Sequence, residues 1–466
     1  MQAMPVTATQ ALGTFSAELG YADIPSAVAR RAKDCIVDTV AAATFGAQLG
    51  WSRIVVEQYA ARYGSGGVCS ILGFPNVRVH APYAALANGV LAHAFELDGP
   101  GVPGTHPGAT LLPAVLAACE DTGADGRTAL TAFVAGCEVM FRIGIASRHS
   151  CEQLGFHAPG LTGPYGSAVA AGRVLGLNGE QLAHALGIAG SLSSGLLAFT
   201  KSRDGAMVKR LHLGRAAESG ILAARLAAAG YTGPETILEG RFGFLDTYCR
   251  DADPGALTAG LNETWETLRT CIKRYACHLY AHTPIQALRA LMSEHGFRGS
   301  EVAHVAIEGS KRLLTHHDIR EPADITKAQY SVPFCVALSL FRDPEDPCAF
   351  DASALEDREI RAACRRVELR LLAQGEGSPR VTRIHVRLKD GRQLSRAGDF
   401  FKGMPQDPLS PAELRSKFLR LCAHSGEAPA AALADALEEM ESAPTFSVAA
   451  LLARKLVKDT DTRSKP

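Results

Sequence analysis

The sequence predicts a mainly α-helical protein, in which a large helical domain formed by both chain ends carries a smaller inserted α+β lid domain. Up to about Trp265, apolar residues recur at helical spacing, and Val68–Gly73 is the only short strand candidate. In Val302–Glu308 and in Arg383–Lys389, apolar and polar residues alternate in period two, as in half-buried strands. We therefore place the helical domain at 1–266, the lid at 267–403 and the C-terminal helices that complete the helical domain at 404–466.

Composition limits the classes of function. The chain has 48 Lys+Arg and 48 Asp+Glu, which removes the usual electrostatic argument for nucleic acid or a membrane surface as partner. No apolar run predicts a membrane span, and no signal peptide is recognisable at the N-terminus. The 12 cysteines form no C-x-x-C pair, and Cys271, Cys277 and His278 form no recognisable ligand set. We expect a cytoplasmic protein without a bound metal.

Apolar stripes and capping residues predict the helices of the first part. Pro25–Gly46 has apolar residues four apart between a proline near its start and a final glycine. Asp125 begins a helix that runs through Arg142, and Asn178–Gln181 resembles a capping box. Val208–Ala229 is almost free of β-branched residues. Its small residues would let neighbouring helices approach closely; they are Gly214, Ala217, Gly220 and Ala224.

Strands and helices mix in the second part. Val302–Glu308 and Arg383–Lys389 alternate in period two, Val367–Leu371 is a weaker strand, and Asp390-Gly391 predicts a hairpin turn. The helices predicted here and at the C-terminus are Pro284–His295, Ile325–Phe341, a helix opened by the capping box Ser410–Glu413, Ala428–Met440 and Phe446–Val457. Because clefts between domains are common ligand sites, we expect the functional site between the helical domain and the lid.

The segment from Leu91 to Leu116 is the most informative. Pro107 suits the first position of a helix, so the free N–H groups of that helix would face whatever lies beside His106. An anion fits such a place. With Glu96 and Asp98 nearby, the segment suggests proton transfer on a carboxylate-bearing substrate. A loop with a capping histidine is the alternative.

Four further segments concentrate polar residues. Lys209 lies in the first turn of its helix, where a cation is unfavourable beside the positive end of the helix dipole. The lysine and this end of the helix would therefore attract an anion together. The segments are Gly155–Pro159 with His157, Gly205–Lys209, Lys273–His278 followed by His282, and Gln329–Pro333 with Tyr330. Each has a plainer interpretation: His157 as a turn cap, Lys209 as a surface lysine, Tyr330 as a core residue and His282 as the start of a helix.

Taken together, these segments resemble the MmgE/PrpD family. HAFELD, THPGATLLPAVLA, GFH, GAMVKRLHLGRAAESG and KRYACH occur in the family's order and spacing, and the resemblance runs from about residue 10 to 455. It implies a helical domain built from both chain ends, a smaller α+β lid and a homodimer. It also implies action on a small di- or tricarboxylate without a redox cofactor.

The resemblance further implies a set of site residues. The family's active-site positions fall on His106, His157, Lys209, Lys273 and His278, and we add Glu96, Asp98, His282 and Tyr330 as candidates for substrate binding. The family's acidic motif, Asp-x-Asp-Asp-Thr, here reads Glu96-Leu97-Asp98-Gly99-Pro100. One carboxylate and one hydroxyl are therefore missing from the part of the pocket that would handle a leaving group.

These residues favour an enzyme that abstracts a proton next to a carboxylate without a cofactor. Lysines and helix N-termini could stabilise the enolate-like charge, and a neutral His or Lys could act as the base. Because of the altered acidic motif, we expect epimerisation of an imino- or amino-dicarboxylate, as in iminodisuccinate epimerase. The alternatives are a hydro-lyase of the 2-methylcitrate dehydratase kind, a lyase of the cis-aconitate decarboxylase kind, and a non-catalytic carboxylate binder.

Overall fold

Helices form most of the first 250 residues. The structure, a computed structural model, describes residues 6–101, 103–202, 206–372 and 382–453. The helices are α1 (Ala8–Glu18), α2 (Ser26–Gly46), α3 (Gly50–Val55), α4 (Ala61–Tyr63), α5 (Ala81–Ala92), α6 (Pro107–Thr122), α7 (Gly126–Ala146), α8 (Ser150–Gln153), α9 (Ala158–Val174), α10 (Gly179–Leu192), α11 (Val208–Ala228) and α12 (Phe244–Tyr248).

Small residues bring α5, α9 and α11 together, as the sequence predicts. A Cβ added to Gly214 would overlap the Leu86 carbonyl of α5, and one added to Gly220 would overlap Ser167 of α9. The predicted caps are also present: Asp125 accepts from Thr128 N–H, and Asn178 forms a capping box with Gln181. This close packing fixes the start of α11, where Lys209 lies.

The second part contains a four-stranded sheet. Strand β3 (Val302–Gly309) pairs in parallel with β4 (Val367–Leu371) and antiparallel with β5 (Thr382–Leu388), and β6 (Gln393–Gly398) pairs antiparallel with β5. Gly391 has φ 93° in the β5–β6 turn, which supports the predicted hairpin. The helices are α13 (Leu279–His295), α14 (Lys311–His317), α15 (Ile325–Tyr330), α16 (Val332–Phe341), α17 (Ala352–Glu356) and α18 (Arg358–Arg365).

The C-terminal helices return to the first part of the chain. Helix α19 (Pro411–Leu421) and helix α20 (Glu427–Glu438) pack against α2. Arg30 of α2 pairs with Glu438 at 2.6 Å, and Lys417 of α19 pairs with the buried Asp38 of α2. The predicted fold class, a mainly helical protein with a smaller α+β part, is therefore confirmed. The domain boundaries stay a prediction.

Several predicted elements differ from the structure. Strand β1 (Ser65–Ile71) pairs with a second strand, β2 (Phe74–Val79), which the sequence did not reveal because much of that strand is exposed. The predicted helix 325–341 is two helices, since the side chain of Ser331 caps α16. Helix α9 begins directly after His157, whereas the sequence predicts a helix that begins near Thr162. The last four residues of the predicted helix 446–457 lie outside the described residues.

Helix α7 corrects the statement that no segment could span a membrane. Among the described residues, α7 alone is long and apolar enough by length and composition. However, 94% of its apolar window is buried inside the protein, as expected of a core helix. Its polar residues Glu138 and Arg142 are buried as well and bond to the 259–267 segment.

Candidate active site

A cavity of 1310 Å³ lies between the helical part and the lid. Lysine and arginine outnumber carboxylates on its wall, so its charge suits an anion with several carboxylates. The lining includes seven of the nine predicted site residues, namely Glu96, His106, His157, Lys209, Lys273, His278 and Tyr330. The other charged lining residues are Lys201, Lys311, Arg312, Lys327 and Glu152.

Three histidines of the cavity wall are helix N-caps. His106 precedes α6, His157 precedes α9 and His278 precedes α13, and none of these side chains bonds to its own helix terminus. Their imidazoles are therefore available for other partners, while the first-turn N–H groups give each helix start a positive potential. The prolines after His106 and His157 fit, because the first turn needs no N–H donor there.

Glu96 joins two lysines from distant parts of the chain. Its carboxylate pairs with Lys209 through one oxygen and with Lys273 Nζ through the other at 2.9 Å, and all three side chains are buried. Burial alone would raise the pKa of Glu96, but the two ammonium groups hold it well below its ordinary value. Burial would likewise lower the pKa of Lys273, yet the carboxylates of Glu96 and Asp98 raise it. Glu96 and Lys273 are therefore charged near neutral pH.

The backbone at Glu96 is in the left-handed region, with φ 56°. A residue other than glycine rarely adopts this conformation, so the surroundings must hold it there. Lys273 Nζ donates to the Glu96 carbonyl at 3.1 Å, and Lys417 Nζ donates to the Leu97 carbonyl at 3.2 Å. The C-terminal helix α19 thus helps to hold the acidic turn.

Asp98 connects two histidines behind the cavity wall. Its carboxylate lies 2.9 Å from His93 Nδ1 and 2.6 Å from His106 Nδ1, and it is 0% exposed. Burial would raise the pKa of Asp98, but the two imidazoles hold it well below its usual range. Burial lowers the pKa of His93 to about 4. His93 is therefore neutral at pH 7, and Asp98 is ionised.

The same three side chains bring potential metal-ligand atoms within 4.8 Å of one another. The donor types would suit a transition metal, but the spacing does not. Ligands of a tetrahedral zinc ion lie about 3.3 Å apart when the metal–ligand distances are about 2.0 Å. The contacts of 2.9 and 2.6 Å between Asp98 and the two ring nitrogens are instead hydrogen-bond lengths. We therefore derive no step through a metal.

His157 and His278 are both held neutral. Burial, followed by the charge of Lys209, lowers the pKa of His157 well below its ordinary value, and its Nδ1 lies 3.0 Å from His212 Nδ1. Burial, followed by His317, lowers the pKa of His278 in the same way, and these two rings stack at 4.1 Å. Neutral imidazoles can accept a proton or donate a hydrogen bond at pH 7.

Tyr330 lines the cavity beside Lys209. The ammonium lies 5.1 Å from the centre of the phenol ring, and the ring centre of His278 lies 5.0 Å away on another side. Burial, then the Glu96 carboxylate, raises the pKa of Tyr330 well above 10. The phenol therefore keeps its proton and is a hydrogen-bond donor.

Family models match nearly the whole chain. The MmgE/PrpD N-terminal domain matches residues 10–256, and the MmgE/PrpD C-terminal domain matches residues 275–441. The chain belongs to the MmgE/PrpD family. The resemblance stated from the sequence is therefore confirmed.

The relatives found by comparison carry one activity in their names. The human cis-aconitate decarboxylase is 28% identical over 425 residues, which cover 88% of this chain and 86% of the human protein. The cis-aconitate decarboxylase of Aspergillus terreus is 31% identical over 348 residues, 70% of each chain. A cis-aconitate decarboxylase-like protein of Aspergillus oryzae is 28% identical over 446 residues, 89% of this chain and 90% of that protein.

Two predicted binding residues do not face the cavity of this MmgE/PrpD protein. Asp98 is fully buried between His93 and His106 and contacts their imidazoles, and it is not among the residues that line the cavity. His282 is also 0% exposed; its Nε2 lies 3.3 Å from the Cys277 carbonyl, and its ring packs against neighbouring aromatic rings. Both residues belong to polar segments, which predicted that they lie near the site. The segments did not predict which way the two side chains point.

Three residues of the site were not identified from the sequence. They are His93, His317 and Gln329, which hold other site residues in place. Gln329 donates to the carbonyls of Phe95 at 3.0 Å and Ala276 at 2.9 Å, and so joins the acidic turn to the segment before His278. Two signals were available: the histidine inside the HAFELD segment lies five residues before Asp98, and Gln329 begins the polar segment Gln329–Pro333.

The altered acidic motif has a structural explanation. A Cβ on Gly99 would overlap the Cys271 carbonyl, so an acid at this position would require the backbone to move. The Pro100 carbonyl accepts from Cys271 N–H at 3.1 Å, and Pro100 lines the cavity. Where the acid is missing, the backbone at Gly99 and Pro100 is in close contact with the segment that carries Lys273.

Proposed function

We propose that this chain is a lyase that decarboxylates an unsaturated tricarboxylate of the cis-aconitate kind. The observation that carries the proposal is the buried Lys209–Glu96–Lys273 group in a cationic cavity. The relatives named above are cis-aconitate decarboxylases and match this chain over 70 to 90% of their own lengths. A substrate with three carboxylates suits a wall that carries more cations than acids.

The cavity offers what this reaction requires. When CO₂ leaves, the electron pair of the broken C–C bond enters a conjugated system that ends on a remaining carboxylate. Lys209 and Lys273 can stabilise the charge that develops there, and the N-termini of α6, α9 and α13 add to the positive potential. In a partly closed cavity these interactions are stronger than in water.

One proton completes the reaction. It forms a new C–H bond with the electron pair, so a tricarboxylate and a proton give a dicarboxylate and CO₂. His106, Lys273 and Tyr330 line the cavity and are the candidates for the donor, whereas His157 and His278 are neutral and can hydrogen-bond to the substrate. The proposed step uses only side chains and helix termini of this chain.

This proposal replaces the epimerase interpretation. The altered acidic motif favoured epimerisation, but the activity named for the relatives is a decarboxylation, which the sequence analysis gave as an alternative. Both reactions place a negative charge on carbon next to a carboxylate, so the same lysines would serve either one. A Cβ on Gly99 would overlap the Cys271 carbonyl, so the missing acid does not by itself require another reaction type.

Product analysis in D₂O tests the proposal. Incubation of chelator-treated enzyme with cis-aconitate should release one CO₂ per turnover and leave one solvent deuterium on carbon in the dicarboxylate product. Solvent exchange into an imino- or amino-dicarboxylate without CO₂ would support epimerisation instead. A new alkene from a hydroxy acid would support a hydro-lyase, and binding without any reaction would support a binding protein. A strict need for an added metal or organic cofactor would contradict the mechanism.

A further inference from the structure

We propose that Asp98 is a positioning residue that fixes the ring and the tautomer of His106, so that His106 Nε2 exchanges the proton in the cavity. His93 is the second hydrogen-bond donor to the same carboxylate. The assignment of a proton to the substrate rests on the proposed function. The hydrogen-bond arrangement itself does not, and it can be tested without substrate.

The hydrogen bonds dictate the tautomer. An ionised carboxylate only accepts hydrogen bonds, so each imidazole that contacts Asp98 must carry its proton on Nδ1. Oδ1 accepts from His93 Nδ1 at 2.9 Å, and Oδ2 accepts from His106 Nδ1 at 2.6 Å. His106 lines the cavity with Nδ1 already bonded, so Nε2 is the nitrogen left for a substrate.

Burial separates the roles of the two histidines. The His93 side chain is fully buried, whereas 14% of the His106 side chain is exposed, so His106 alone of the pair reaches the cavity. When His106 Nε2 holds a proton, the resulting imidazolium contacts the Asp98 carboxylate through Nδ1 at 2.6 Å. His93 adds no charge at neutral pH and holds the other carboxylate oxygen in place.

The proton transfer then balances. The imidazolium of His106 gives the proton on Nε2 to a carbon of the conjugated system, and the electron pair that the broken C–C bond released into that system forms the new C–H bond. His106 is left neutral with its proton on Nδ1, still donated to Asp98. Water outside the cavity returns a proton to Nε2 before the next turnover. Asp98 itself stays ionised throughout.

The first test observes tautomers directly. In protein labelled with ¹⁵N at histidine, the neutral form of His106 should give the signals of an Nδ1-protonated ring, with His106→Gln used for assignment. Asp98→Asn replaces the double acceptor by an amide that accepts from one imidazole and donates to the other. One of the His93 and His106 signals should therefore change to the Nε2-protonated form. A wild-type His106 protonated on Nε2 overturns the proposal, even if Asp98→Asn does not fold.

The second test is a double-mutant cycle on decarboxylation. Asp98→Asn should lower kcat by about 100-fold or more with little change in KM, because an imidazole in the wrong tautomer cannot exchange its proton. In His106→Gln, adding Asp98→Asn should cost nothing further. The matched control is His93→Gln, which keeps the Asp98–His106 bond and should retain kcat within about tenfold. Additive losses, or an equal loss in His93→Gln, would contradict the proposal. Absent turnover by wild type would instead contradict the proposed function and leave the tautomer result standing.

Discussion

His317 lies against His278 on the lid side of the cavity and is 3% exposed. Burial lowers its pKa to about 4, although its hydrogen bond to the Tyr330 carbonyl partly opposes this. In the unfolded chain the pKa of histidine is about 6.5. Between these values the unfolded state binds more protons than the folded state, so folding stability decreases as the pH falls.

This difference predicts a measurable pH dependence. The free energy of unfolding should decrease as the pH falls from about 6.5 to about 4, with His317 contributing on the order of 3 kcal/mol. The His317→Gln variant has no titrating side chain at this position in this pH range, so its free energy of unfolding should decrease less. Chemical denaturation at several pH values measures both slopes. Equal slopes would show that His317 is not buried as a neutral ring.

At the residue scale, the sequence predicted cavity-lining residues where the signal was local. His106, His157 and Lys209 were found because prolines or helix starts lie beside them in the chain. The role of Gln329 in joining two segments of the site was not predicted. Its partners include Phe95, 234 residues away, and no local pattern encodes such a contact. The catalytic roles of the cavity residues stay predictions.

At the element scale, the C-terminal helix α19 supports the acidic turn. Lys417 is largely buried and binds both Asp38 and the Leu97 carbonyl. Arg415 on the same helix pairs with Asp435, but both side chains are 41% exposed. The two cations therefore differ in burial while sharing a helix, which makes them a matched pair for mutation.

Lys417→Met should destabilise the protein by about 3–5 kcal/mol, because it leaves the buried Asp38 unpaired. It should also lower kcat of the folded fraction, since the turn that carries Glu96 and Asp98 loses a support. Arg415→Gln should change stability by less than about 1 kcal/mol. Denaturant unfolding and activity at low temperature measure these effects. Equal effects of the two substitutions would contradict the role given to Lys417.

A helix or strand could be predicted from the sequence when its own residues carried a strong pattern. Caps and apolar stripes located α2, α7, α10 and α11 to within a few residues. The β1–β2 hairpin was only half found, because β2 is mostly exposed and lacks an alternating apolar pattern. Ser331 divides the 325–341 helix through a side-chain cap that competes with helix continuation.

At the scale of the whole molecule, the cavity depends on two parts of the chain meeting. His106, His157 and Lys209 come from the helical part, whereas Lys273 and His278 come from the segment that leads into the second part. Composition and periodicity predicted this division, but the cavity's shape depends on long-range packing. The homodimer implied by family resemblance stays a prediction for sedimentation to test.

Substrate should protect both walls from hydrogen exchange. A saturating tricarboxylate should slow exchange in 104–110, in 206–209 and in 273–282, because its charges contact cations from both parts. A monocarboxylate of similar size should protect less, since one charge cannot reach both walls. Unchanged exchange in all three segments would place the binding site elsewhere. Protection of one wall alone would retain the anion site but exclude closure around it.

Release of CO₂ from cis-aconitate by wild type and by Lys209→Ala tests the central claim most directly. Lys209 lies in the first turn of α11 beside Glu96, and Lys273 can still pair with that carboxylate after the substitution. Wild type should release CO₂, and folded Lys209→Ala should have a kcat/KM lower by about 100-fold or more, as when one charge-stabilising group is removed. No CO₂ from wild type, or equal rates from the two folded proteins, would contradict decarboxylation in this cationic cavity.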